Sequence, residues 1–145
     1  MSIGPSSRAQ AEQAGRRAEI FAALTLQLKG YVIVARRAKN PRGEIDLIAR
    51  RGKVLAFIEV KMRQKPSDPA TILTSKQMSR IVNGATSWTA SRTWTQNCQW
   101  RYDFILVNPW RWPVHIKDAW RPQNDPTLES GRKGGNVQFR DTRRT

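Results

Sequence analysis

The stretch GEIDLIARRGKVLAFIEVKMR, residues 43–63, constrains the fold more than any other. Two apolar runs rich in strand-forming residues flank Gly52 and Lys53, and glycine at the first central position suits a two-residue type II′ turn. The segment reads as a β-hairpin with strands over 44–51 and 54–61. A purely structural hairpin has little use for charge inside its strands. Yet Glu44, Asp46 and Glu59 interrupt the apolar runs, and Lys61 follows Glu59 two positions on. Alternate residues of a strand share a face. With Gly52-Lys53 as the turn, Arg51 pairs with Val54, Asp46 lies opposite Glu59, and Glu44 lies opposite Lys61. With Arg51-Gly52 as the turn, Glu44 faces Glu59 and Asp46 lies diagonal to it. Either register puts the carboxylates and Lys61 on one face.

Two carboxylates directly across a hairpin have Cβ atoms about 5 Å apart and repel each other. A hard divalent cation removes that repulsion, because Mg²⁺ takes carboxylate oxygens together with waters and substrate phosphate. A lysine beside the cation can hold the attacking water or offset charge developing on phosphate. These are the groups that metal-assisted phosphodiester hydrolysis needs. Glu-x-Lys in a strand is more often a solvated, salt-bridged face. The matching parity of Asp46, thirteen residues before Glu59, sets this example apart.

Charge points the same way. The 145 residues suffice for one domain with a modest core. Lys and Arg number 26 against 11 Asp and Glu, a formal net charge of +15. That exceeds what solubility requires and draws the chain to polyanions, of which nucleic acid is the commonest. Cys98 is the single cysteine, which excludes an intrachain disulfide and a thiolate metal cluster, and it reads as a small buried or half-buried residue. No apolar run approaches the roughly 20 residues of a membrane span. The N-terminal MSIGPSSRAQAEQAG lacks the apolar core of a secretory signal, so the expected compartment is the cytoplasm.

Along the chain, residues 1–7 read as loose. A helix is expected over 8–29, with Ala14, Ala18, Phe21, Leu24 and Leu28 as its buried stripe and Gly30 as its stop. YVIVARR, residues 31–37, reads as a strand, and AKNPRG as a loop. After the hairpin, QKPSDPA reads as a loop. A second helix is expected from Ser75, its cap, to Ala90, with Ile81, Ala85 and Trp88 buried and Gln77 on the same stripe. Residues 100–107 read as a strand, NPWRWP as a loop, and VHIKDAW as a short last strand. The composition of 121–145 predicts disorder. The fold class is therefore α/β: helix, three strands, helix, one or two strands, in a mixed sheet flanked by helices, with the domain over 8–120.

Asp46, Glu59 and Lys61 resemble the PD-(D/E)xK nuclease motif of the restriction-endonuclease-like superfamily, with Ile45 standing before Asp46 where the motif names proline. Glu19, in GRRAE, resembles the acidic residue that many Holliday-junction resolvases carry before the first strand. GRRAE, GEIDLIA, FIEVKMR, KQMSRI, RYDFILV and HIKDAW, in this order over residues 15–120, resemble the uncharacterised bacterial family typified by YraN. The resemblance implies Asp46 and Glu59 as metal ligands and Lys61 as the catalytic lysine. It also implies Glu19 as an acidic residue at or beside the metal, and Gln77 near the site from the second helix. Glu44 belongs to the YraN-like GEID, and pairing with Lys61 or Arg63, or help to the metal, is its expected role.

His115, the single histidine, reads as packing on the last strand. Trp88, Trp100 and Trp120 read as core or core edge. Trp110 and Trp112 are the exposed candidates for stacking on bases, with Arg63, Lys76, Arg80 and Arg111 as candidate phosphate contacts. The basic tail, with Arg132, Lys133, Arg140, Arg143 and Arg144, adds phosphate attraction without sequence preference. The expected activity is Mg²⁺- or Mn²⁺-dependent endonucleolytic cleavage of DNA, branched or junction DNA included. The rival is a basic DNA-binding module of the same fold that does not cleave; a third reading is a small ribonucleoprotein component. DNA is the expected partner, with no membrane and no small-molecule cofactor, and a homodimer is compatible with the sequence.

Overall fold

The hairpin turns at Gly52-Lys53. In the computed structural model, which describes residues 5–65, 67–122 and 137–139, Gly52 takes φ 59°, the left-handed start that a type II′ turn needs. β2 (Gly43–Arg51) and β3 (Val54–Met62) pair antiparallel from Arg51↔Val54 to Leu47↔Ile58, the first of the two registers. β1 (Val32–Asn40) pairs with the other edge of β2. Its turn is fixed by Asn40, whose Oδ1 accepts the N–H groups of Arg42 and Gly43 at 3.0 and 3.1 Å.

The chain then crosses over through α2 (Pro69–Ile72), α3 (Ser75–Ala90) and a 3₁₀ turn, Thr93–Asn97, so β4 (Gln99–Asn108) lies parallel to β3. β5 (Arg111–Pro122) returns antiparallel, and β6 (Val137–Phe139) pairs with its last residues. The mixed sheet has the order β1-β2-β3-β4-β5-β6.

Each face buries its own core. On one, α1 (Pro5–Leu28) packs Ala18, Ala22, Ala23 and Leu26 over Leu47, Ala49, Ile58 and Ile105. On the other, α3 packs Met78, Ile81 and Ala85 over Ile45, Ile48, Phe57 and Trp120. α3 lies so close to β2 that a Cβ on Gly43 would run into the Arg80 carbonyl. Among the described residues, no helix is long and apolar enough to cross a membrane.

Several expectations are corrected. α1 begins at Pro5, and its buried face is Ala18, Ala22, Thr25 and Leu26, while Phe21, Leu24 and Leu28 are exposed. The helix lays three alanines and Leu26 on the sheet and turns Phe21, Leu24 and Leu28 outward. Thr74, not Ser75, caps α3, because Gln77 completes a capping box with it. The Asp68 side chain caps α2 within the expected loop 64–70. Arg111 and Trp112 start β5 instead of lying in a loop. Order continues past 120 to Pro122, and Val137–Phe139 is a strand by virtue of its pairing, not its composition. The remaining tail positions, 123–136 and 140–145, and residues 1–4 lie outside the described residues. Trp120 is fully buried and Trp88 and Trp100 half-buried, as expected, and Cys98 is half-buried.

Candidate active site

The β2–β3 ladder ends at Leu47↔Ile58, and the candidate site occupies the opening beyond it. Asp46 bridges the gap with its side chain, Oδ2 accepting the Val60 N–H at 2.8 Å. Its carboxyl lies close enough to that of Glu59 for the charge of one to raise the other. Burial and then the charge of Asp46 push Glu59 up to about 8. Asp46 is raised too, by burial first, against the opposing Val60 N–H, with Glu19 adding to the rise. Lys61 Nζ stands 3.3 Å from Glu59 Oε1. Asp46, Glu59 and Lys61 thus converge as the parity of the hairpin predicts.

The other candidates are placed differently. Glu19 reaches toward the pair from α1, close enough for its charge to act on Asp46. Its Oε2 accepts a hydrogen bond from Arg37 Nε at 2.7 Å. Gln77 Oε1 accepts the Thr74 N–H at 3.1 Å, so its side chain serves the helix cap. Glu44 is exposed and pairs with Lys39 across β1–β2; the ladder that would set it opposite Lys61 stops short of it. Arg63, Lys76, Arg80 and Arg111 are exposed. Trp110 and Trp112 are exposed as expected.

Arg37 is a site residue that sequence reasoning missed. It holds φ 47°, a conformation uncommon outside glycine. Asp46 and Glu44 as well as Glu19 act on its guanidinium. Nothing in the sequence separates it from the other 25 basic residues.

Two half-buried carboxyls, one raised by the charge of the other, are a pair whose repulsion a cation would relieve. Among the described residues no three His, Cys, Asp or Glu side chains come together closely enough to hold a metal. Mg²⁺ is commonly bound through one or two carboxylates and keeps several waters. Asp46 and Glu59 fit that demand, and Glu19, tied to Arg37, stands beside them.

The model of the uncharacterised protein family UPF0102 matches residues 18–107. The chain belongs to this family. The UPF0102 match spans Glu19, Asp46, Glu59, Lys61 and Gln77, and the family is the one that the YraN-like motifs indicated. The chain is similar, at 46% identity over 127 residues, to UPF0102 protein amb4503 of Paramagnetospirillum magneticum, covering 83% of this chain and 98% of that one. It is 43% identical over 118 residues to a UPF0102 protein of Parvibaculum lavamentivorans, covering 81% and 89% of the two chains. A UPF0102 protein of Caulobacter vibrioides is 44% identical over 110 residues, covering 76% and 88%.

Proposed function

We propose that this protein is a Mg²⁺- or Mn²⁺-dependent endonuclease of the cytoplasm that hydrolyses DNA phosphodiester bonds, branched or junction DNA included. The observation that carries the reading is the contact of Asp46 with Glu59, with Lys61 Nζ 3.3 Å from Glu59 Oε1. Asp46 and Glu59 would hold the ion, which when bound supplies Lewis-acid polarisation of the phosphate and a more acidic water. Lys61, kept in place by Glu59, donates hydrogen bonds to the attacking water or to a phosphate oxygen. Arg37 adds positive charge beside the carboxylates, and Glu19 holds its guanidinium. The net charge of +15 brings the polyanion to the surface.

A second reading is a DNA-binding module of the same fold that does not cleave, which the net charge of +15 supports equally. Nicking of supercoiled plasmid and of a four-way junction separates the two. The nuclease reading expects nicks with Mg²⁺ or Mn²⁺, none in EDTA, and none from Lys61→Ala in either metal. Metal-independent nicking, or none under any condition, rejects it.

A further inference from the structure

Between α1 and the β4–β5 turn lies an open trough of about 890 Å³. It reaches Met62, next to Lys61 at the end of β3 but on the α1 face of the sheet, and its helical wall carries Arg17. That wall is the stripe of α1 that the sheet does not cover, with Phe21, Leu24 and Leu28. The facing wall is the β4–β5 turn, where Trp110 is 86% and Trp112 69% exposed. Five large apolar side chains left to water on one face exceed the scattered exposure of an ordinary surface and mark an interaction site.

The charge of the trough selects its occupant. Its lining includes Arg17 and Arg111 and neither Asp nor Glu. A second copy of the chain would bring +15 against +15, with no acid in the trough to offset it. An unpaired DNA strand satisfies both features, since its bases stack on aromatic faces and its phosphates seek arginine. A continuous duplex keeps its bases stacked inside and cannot reach the tryptophans.

We propose that the trough holds the unpaired bases of a DNA strand that continues round the end of β3 to the phosphate presented to Asp46, Glu59 and Lys61. The substrate class is then DNA with a single-stranded segment at the point of cleavage, such as a flap or gap, rather than continuous duplex. The place of the cut rests on the nuclease reading; the capture of bases does not.

The test is fluorescence anisotropy in EDTA, at one ionic strength, with a short oligothymidylate and a duplex of equal length. Trp110→Ala/Trp112→Ala is expected to weaken single-strand binding by at least about tenfold, the loss that removing base–aromatic stacking brings. Duplex binding is expected to stay within about twofold, because its phosphate contacts remain. Trp110→Phe/Trp112→Phe, which keeps two π faces in a folded protein, is expected to retain most single-strand affinity. Unchanged single-strand affinity in the alanine pair overturns the proposal, and so does an equal loss on both DNAs. Sedimentation showing a wild-type dimer that the alanine pair dissociates, with single-strand affinity intact, overturns it in favour of a second copy. Because binding is read without metal, failure of cleavage alone leaves the expected anisotropy result standing and removes only the nuclease reading.

Discussion

Glu59 sits between an acid and a base: Asp46 meets it on one side and Lys61 on the other. Burial and Asp46 prevail over Lys61, and the carboxyl rises from the ordinary 4.5 to about 8. A raised acid makes the folded protein bind more protons than the unfolded chain between those two values. Stability of the metal-free protein therefore falls as pH rises through that window and levels off above about 8. Glu59→Gln should flatten the dependence. A metal ion held by Glu59 would have to displace the proton of that raised carboxyl, so Mg²⁺ affinity is expected to climb by up to about tenfold per pH unit until the same limit. At pH 7 binding should release about one proton, as read by titration calorimetry in two buffers of different ionisation enthalpy. Affinity independent of pH, with no proton released, would show that Glu59 is not protonated in the metal-free protein near neutral pH.

Among the elements, β4 carries the charge most dependent on its neighbours. Asp103 is fully buried in mid-strand. Arg101 donates to both of its oxygens at 2.8 and 2.9 Å, His115 Nε2 lies 2.8 Å from Oδ2, and the Asp118 N–H donates at 2.9 Å. Burial alone would lift Asp103, but the bonds from His115, Arg101 and the Asp118 amide outweigh it and hold the carboxyl below its ordinary value. Removing it strands a buried histidine and a half-buried arginine, so Asp103→Ala should cost about 3 kcal/mol or more in urea unfolding. A loss under about 1 kcal/mol would mean that the network is solvated. None of this was legible in the sequence, since His115 and Asp103 meet only across the β4–β5 pairing. The hairpin was legible because Gly52 fixes the turn and parity does the rest. α1 was misread because periodicity selects large apolar residues, whereas close packing on the sheet selects Ala18, Ala22 and Ala23. Gln77 was misplaced because its helical phase says nothing of the local bond to Thr74 that captures its side chain.

At the scale of the whole molecule, a chain of net charge +15 brings three of its few acids to one end of the central strands. On the nuclease reading, attraction for DNA is spread over many basic side chains, while the means to cut it is confined to Asp46, Glu59 and Lys61. Binding and cleavage must then be separable. The decisive measurement compares wild type, Asp46→Ala and Glu59→Ala, purified side by side, for nicking with Mg²⁺ or Mn²⁺ and for DNA affinity at the same salt. Each alanine is expected to abolish nicking, because it removes a metal ligand. DNA affinity should hold or rise, because a carboxylate no longer faces the phosphates. Nicking by Glu59→Ala at the wild-type rate would contradict the account, because the cleaving group would then lie elsewhere than in this pair.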